Sequence, residues 1–195
     1  MRIQTPSKAP SLQLVDIENT PIPVGGTGRK MLLSFFREAN CPFCNFRVYE
    51  LTHNHRALEA LGLDIVAVFS SDEAQIRRFV ARQPRPFRMV ADPDDAAHRL
   101  YGVERSFLGK LIAMMRRLPA MMRGMREVGM AGMATGNLLP ADFLIDEHGR
   151  VVETYYGRDA GDHIPIERIE LFVARGLASR PATLGGPSTT GSAQA

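Results

Sequence analysis

The two cysteines of this chain, Cys41 and Cys44, are separated only by Pro42 and Phe43. A Cys-x-x-Cys holds two sulfurs within reach of each other. One can attack a disulfide as a thiolate, and the second can then break the mixed disulfide and release the product. The elements around the pair fit that use. Met31 to Phe36 is an unbroken apolar run, apart from Ser34, and reads as a buried strand. Phe46, Val48, Tyr49, Leu51, Leu58 and Leu61 then follow a helical pattern. The pair therefore falls at a strand-to-helix turn. Pro42 suits the first helical position, where its missing N–H would have no intrahelical partner. Cys41 is expected at or just before the N-cap, facing free N–H groups and the positive end of the helix dipole. That setting favours the reactive thiolate. Cys41 is thus read as the more exposed nucleophile and Cys44, one turn in, as the resolving thiol.

Other uses of the same residues fit less well. A zinc site would need further ligands, and the nearest are His53 and His55. On a helix that spacing points the two rings to different sides, against tetrahedral convergence; no metal is expected. A structural disulfide across two intervening residues would restrain little chain entropy. Gly25-Gly26-Thr27-Gly28 precedes a strand instead of opening a helix, with no Gly-Lys-Ser/Thr behind it, so it reads as a turn and not a phosphate loop.

The chain has 195 residues, 45% of them hydrophobic, and a net charge of +3. That suits one domain with additions. The basic excess is small and no Arg/Lys-rich run with interleaved aromatics occurs, which argues against nucleic acid as a partner. Met1 to Pro10 lacks the apolar region of a secretory signal, and no stretch of ~20 apolar residues could span a bilayer. The expected compartment is the cytoplasm, where resting thiols are reduced and such a pair is catalytic more often than structural.

In order, the pattern predicts a short N-terminal hairpin (Ala9–Asp16 with Ile22–Val24), the strand 31–36 and a helix from Pro42 to about Ala60. A strand at Leu63–Phe69 follows, then a helix capped by the stretch Ser70-Ser71-Asp72-Glu73 and running to about Arg82, and a strand at Phe87–Val90. A short helix then ends at Gly102, and a hairpin (Pro140–Asp146 with Val151–Tyr156) precedes the last helix, through Val173. Between about 105 and 137 lies a Met-rich insert with apolar stripes at helical spacing and Lys110, Arg116, Arg117, Arg123 and Arg126 beside them. It is expected to form one or two amphipathic helices broken near Pro119. Its first reading is a cap on the domain's own core. A partner or homodimer surface comes second, and contact with a membrane surface a distant third. Residues 1–177 form the domain in this reading. The tail 178–195, built of Ala, Ser, Thr, Gly and Pro, is expected to be disordered.

Strands and helices that alternate and then close with a hairpin imply an α/β fold: a central mixed sheet with helices on both faces. With the dithiol at its turn, this order resembles the thioredoxin fold. In detail it is similar to the peroxiredoxin-like branch, the alkyl hydroperoxide reductase/thiol-specific antioxidant type, in a subgroup that keeps a Cys-x-x-Cys. Ala9-Pro10-Ser11-Leu12-Gln13-Leu14 matches that family's opening, Cys41-Pro42-Phe43-Cys44 its redox turn, and Tyr101-Gly102-Val103 with Asp142–Gly149 its later motifs. The resemblance implies thiol-disulfide exchange or peroxide reduction without a cofactor. It also implies a disulfide or peroxide substrate and a thioredoxin- or glutathione-type reductant.

The departures bear on mechanism. Peroxidases of the family carry Pro-x-x-x-Thr/Ser-x-x-Cys. If Cys44 is the peroxidatic residue, Cys41 stands in the Thr place and Arg37 in the Pro place; if Cys41 is, Glu38 and Ser34 stand there. The roles of the two cysteines reverse between these frames. The family's Arg before the later strand is replaced by Leu139-Pro140, and Pro140 resembles thioredoxin's cis-proline. A cis Leu139–Pro140 bond packed beside Cys41 is therefore expected. Phe35 occupies the place of thioredoxin's buried Asp, leaving Glu38 as a substitute. Asn40 and Arg37 complete the supporting set, with Arg37 expected in solvent. With no placed Arg, disulfide exchange is expected to be at least as efficient as peroxide reduction. The alternative from another class is a redox sensor or docking module without turnover.

Overall fold

The structure, a computed structural model, describes residues 2–82, 84–106, 115, 119, 122–123 and 136–178. Its strands are β1 (Ser7–Lys8), β2 (Leu14–Val15), β3 (Pro21–Ile22), β4 (Lys30–Phe36), β5 (Leu63–Phe69), β6 (Arg88–Ala91), β7 (Ala141–Ile145) and β8 (Arg150–Tyr156). Its helices are α1 (Pro42–Ala60), α2 (Glu73–Phe79), α3 (Ala96–Leu100) and α4 (Ile166–Ala178). The central sheet runs β1-β8-β7-β4-β5-β6, and β2 pairs with β3 as a separate hairpin. β4, β5 and β6 are parallel, β7 pairs antiparallel with β4 and β8 antiparallel with β7, so the sheet is mixed.

β4 lies at the centre of this sheet, and its alternation feeds both cores. Leu32 and Phe36 face a core shared with α1, α2 and α4, through Val48, Leu51, Ile76, Ile169 and Val173. Met31, Leu33 and Phe35 face the other core, with Tyr101, Phe143 and the β2–β3 hairpin. A strand covered on both faces needs no polar alternation, which is why 31–36 reads as an apolar run. α1 lays Cys44, Val48, Leu51, His55 and Leu58 inward, one face of a 3.6-residue period. The turn entering β4 crosses the β7–β8 turn so closely that a Cβ on Gly25, at φ +76°, would stand 2.4 Å from the Gly149 Cα.

The α/β class, the mixed sheet and the elements from β4 to β5 follow the sequence pattern. Three details differ. α2 ends at Phe79 and not near Arg82, because Val80 turns back into the core. β1, too short to show a period, joins the edge of the sheet beside β8. Leu139–Pro140 is not cis; among the described residues the cis bond is Thr5–Pro6. The physical reason lies in the approach to β7. Leu138 already bridges Arg105, the Leu139 N–H donates to the Glu104 carbonyl at 2.8 Å, and the Pro140 carbonyl accepts from the Gly157 N–H at 2.9 Å. The chain is thus extended and paired before the strand begins, and a trans bond continues it. The helices expected within 106–136, their break at Pro119 and the tail expected to be disordered lie outside the described residues, save for isolated positions.

Candidate active site

β4 delivers Phe36 to the end of the sheet, and residues 37–40 loop from it to Cys41, the N-cap of α1, with Pro42 at the first helical position. Several bonds fix this loop. The Cys41 N–H donates to the Glu38 carbonyl at 2.9 Å. The Asn45 side-chain amide donates to the carbonyls of Ala39 at 2.7 Å and Cys41 at 3.0 Å. The Ala39 N–H donates to the Ser71 hydroxyl at 3.0 Å, tying the loop to the turn after β5. Beneath it, His98 Nε2 meets the Phe36 carbonyl at 2.8 Å and its Nδ1 meets Asp92 at 2.6 Å.

Both cysteines are free thiols and both are wholly buried, at 0% exposure. The expectation that Cys41 would be the more exposed of the two is therefore corrected: the loop 37–40 folds back over it. Arg37 is the larger correction. Expected in solvent, it is 1% exposed, and its Nη1 donates to Cys41 Sγ at 3.2 Å. The loop reverses the chain after β4, so a side chain four residues before the sulfur turns back onto it. Arg37 Nη2 also donates to the Gly136 carbonyl, and Glu38 accepts the Gly136 N–H at 2.7 Å. Consecutive residues of the loop thus hold both backbone polar groups of Gly136.

This geometry separates the two thiols. Burial opposes ionisation of Cys41, but the Cys44 thiol donating to its sulfur and the Arg37 guanidinium beside it prevail, and its pKa falls to about 6. Burial and the neighbouring Cys41 sulfur push Cys44 well above the usual thiol range. At neutral pH the arrangement is a Cys41 thiolate, a Cys44 thiol donating to it and an Arg37 cation that stays charged.

The other predicted residues distribute as follows. Asn40 is half-buried directly before Cys41, and Pro42 holds the first helical position. Pro140 is buried where β7 begins and closes against Gly157. His53 stacks on Tyr49, and His55 lies between Glu59 and Phe87, away from each other. Asp92, Asp95 and His98 bring ligand atoms within 4.8 Å. That set does not suit a metal, because both ring nitrogens of His98 are already engaged. Sequence reasoning missed Asn45, His98 and a buried group at Asp142. The Asp142 carboxylate, on β7 opposite Ser34, accepts from the Ser34 hydroxyl, from the Ile164 N–H at 2.8 Å and from His163 Nδ1 at 3.1 Å. An acid inside an otherwise apolar strand, Ala141–Ile145, was the available signal.

A family model for the AhpC/TSA family matches residues 6–154. The chain belongs to that family. "Putative peroxiredoxin Rv2521" of Mycobacterium tuberculosis (strain ATCC 25618 / H37Rv) is 21% identical over 175 residues, covering 88% of this chain and 97% of that protein. Among solved structures, a "putative Thiol:disulfide interchange protein DsbE" from Chlorobium tepidum superposes with a TM-score of 0.60 at 22% identity, covering 90% of this chain and 99% of the other. Peroxiredoxin Q of Xanthomonas campestris gives 0.57 at 17% identity, covering 86% and 90%. These likenesses carry the thioredoxin-type fold, and the family carries thiol-based redox chemistry. Cys41 and Cys44 are the two cysteines of the sequence.

Proposed function

We propose that the protein is a two-cysteine thiol oxidoreductase that reduces peroxides at Cys41 and is recycled by disulfide exchange through Cys44. The observation that carries this reading is the Arg37 N–H on Cys41 Sγ at 3.2 Å. Peroxide cleavage needs a thiolate and a fixed donor for the charge that develops on oxygen. Arg37 supplies the cation that the family's usual position, held here by Leu139-Pro140, does not. The Cys41 thiolate attacks the terminal peroxide oxygen; an S–O bond forms, the O–O bond breaks, and the departing alkoxide takes a proton to leave as the alcohol. Cys44 then attacks the Cys41 sulfenic acid, forming the Cys41–Cys44 disulfide and releasing water. A thioredoxin- or glutathione-type thiol returns two electrons by exchange at the same sulfur. The two sulfurs carry both electrons, so no cofactor is required.

Reduction of disulfide substrates is a second reading, favoured by the N-terminal placement of the low-pKa cysteine in a Cys-x-x-Cys. The sensor without turnover is not favoured by the family. Because both sulfurs are buried, either reaction needs local opening around the loop 37–40. Pro42, Asn40 and Pro140 belong to the proposal as supports of this loop and of the strand beside it. We place one domain at 1–177 with an insert at about 105–137. The insert leaves and rejoins at neighbouring points, since the Ser106 N–H donates to the Asn137 carbonyl at 2.6 Å. Among the described residues no helix is long and apolar enough to cross a membrane; a reducing cytoplasm is proposed from the free dithiol.

Steady-state consumption of peroxide in the presence of a dithiol reductant tests the function. Stoichiometric oxidation that stops after one turnover, with reductant in excess, would return the protein to the sensor class.

A further inference from the structure

His98, on α3, is 1% exposed, and its ring stands edge-on to Phe35 with centroids 5.0 Å apart. A buried imidazole is costly unless its polar atoms are bonded. Here both nitrogens are engaged. Nδ1 lies 2.6 Å from the Asp92 carboxylate, which also accepts the N–H groups of Ala97 at 3.2 Å and His98 at 3.0 Å. Asp92 is tied in turn to the sheet: its N–H donates to the Phe69 carbonyl at 2.8 Å, and Phe69 of β5 pairs with Phe36 of β4. The Asp95 carboxylate stands farther off, 4.0 Å from Nδ1, and is occupied by Ser70 and Arg105. Nε2 lies 2.8 Å from the Phe36 carbonyl. A carbonyl oxygen only accepts, so Nε2 donates. His98 is thus a strut from an anchored carboxylate to the last carbonyl of β4.

That carbonyl belongs to the Phe36–Arg37 peptide group. The bond is trans, so its C=O and N–H lie in one plane and point opposite ways. His98 holds the C=O. The N–H, on Arg37, donates to the Cys44 sulfur. The same plane sets the direction in which the Arg37 side chain leaves the backbone, and at the far end of that side chain Nη1 reaches Cys41 Sγ at 3.2 Å. One residue therefore addresses both sulfurs, and its peptide plane decides both approaches. We propose that His98 is a positioning residue for the dithiol: by fixing the Phe36–Arg37 peptide it sets the course of the Arg37 side chain to Cys41 and the aim of the Arg37 N–H at Cys44. Without the strut the peptide can turn about the two soft dihedrals that flank it, and both contacts weaken together. His98 acts through Arg37 and is not itself a reacting group. The inference rests on the reading of Cys41 as the attacking thiolate and Cys44 as the resolving thiol.

The test separates the two ends of the strut. His98→Asn keeps a side-chain donor at the Nδ1 place, toward Asp92, and loses the one at Phe36. His98→Gln keeps the donor at the Nε2 place. Thiolate absorbance against pH reads the Cys41 midpoint and needs no turnover. His98→Asn should raise that midpoint by roughly half to one unit, about a threefold to tenfold change in ionisation, as expected for one hydrogen bond. His98→Gln should stay close to the wild type. Attack of Cys44 on peroxide-oxidised Cys41, followed by intact mass after acid quench, should slow by a similar factor in His98→Asn and keep its rate in His98→Gln. Equal midpoints in both variants and the wild type overturn the inference. So does a shift in His98→Gln as large as that in His98→Asn, since the ring would then only fill space. Failure of the wild type to form a disulfide with peroxide would defeat the proposed function, while the midpoints still decide the positioning role. If neither variant melts cooperatively, NMR of the wild type decides. A coupling across the hydrogen bond from His98 Nε2 to the Phe36 carbonyl carbon, with an Arg37 amide signal that moves as Cys44 ionises, supports the inference. A missing coupling or an unmoved amide overturns it.

Discussion

Replacing Arg37 by Met removes the cation from Cys41 while keeping much of its volume. A hydrogen bond to a charged group is worth about 1.5–3 kcal/mol, and about 1.4 kcal/mol is one pKa unit. The Cys41 pKa should therefore rise from about 6 by roughly one to two units. Taking the middle of that range, the thiolate fraction at pH 7 falls from about 90% to about 25%. Each remaining thiolate becomes about fivefold more nucleophilic, because reactivity rises with basicity. Iodoacetamide alkylation should thus change little near pH 7, slow about sixfold near pH 5 and speed about fivefold at high pH. The two profiles cross. Peroxide reduction should behave differently. Arg37 also stabilises the charge on the departing oxygen in the proposed mechanism, so its rate should drop at every pH by about tenfold or more. Cys44 does not confuse the titration, since its own pKa lies well above this window. Thiolate absorbance against pH gives the midpoint, and Arg37→Lys, which keeps the charge without the fork, should fall between. The reasoning fails if Arg37→Met leaves the midpoint within a few tenths of a unit of the wild type in a protein that still melts cooperatively. It fails equally if alkylation and peroxide reduction change in parallel.

Cys41→Ser should abolish peroxide consumption, and Cys44→Ser should leave a sulfenic acid on Cys41 that a dione reagent traps, as read by intact mass. A sulfenic acid on Cys44 in the Cys41→Ser protein would reverse the roles. Asp142→Asn should cost about 3 kcal/mol in urea unfolding, because a buried anion that Ser34, His163 and Ile164 all address is lost. Burial opposes its charge, but His163 holds the Asp142 pKa below the usual carboxylate range. Its contribution is then complete above the ordinary carboxylate pKa and fades as pH falls through the depressed value, so wild type and variant should converge in acid. Gly25→Ala, strained by its positive φ and by the Gly149 backbone, should lose about 1–3 kcal/mol in the same assay. Removal of 107–135, with Ser106 joined to Gly136 by a short linker, should leave a cooperative thermal melt; loss of the melt would make the segment part of the core.

The fold was legible wherever a local pattern answers a global need. β4 and β5 are buried on both faces and read as apolar runs, and α1 announces its start by Pro42 and its inner face by its period. The site was legible as far as the sulfurs, the N-cap and the supporting loop. What the sequence hid was direction. Nothing in Phe36-Arg37-Glu38-Ala39 says that the chain reverses and brings the guanidinium back under Cys41. That depends on Asn45 and Ser71 gripping the loop, and on Gly136, distant in sequence, receiving both Arg37 and Glu38. Pro140 misled for a related reason. Its place before a strand resembles that of thioredoxin's cis-proline, but here the partners at Glu104 and Gly157 already extend the chain.

The two sequence frames, one with Cys44 as the attacking residue and one with Cys41, differ by a single turn of helix, and motif spacing alone cannot separate them. Electrostatics can. Two buried thiols a turn apart cannot both ionise cheaply, so whichever receives the fixed cation becomes the thiolate and the other becomes its donor. Arg37 reaches Cys41 from the loop side, and the N-terminal position of Cys41 on α1 adds the helix dipole in the same direction. Cys44, within the first turn of the helix, keeps its proton while Cys41 loses one. Oxidation of Cys41 removes the negative sulfur that Cys44 donates to and that helps keep its pKa high. In the proposed mechanism the resolving thiol is thereby released to ionise at the step that needs it, and the order of events follows from which sulfur the Arg37 guanidinium bonds.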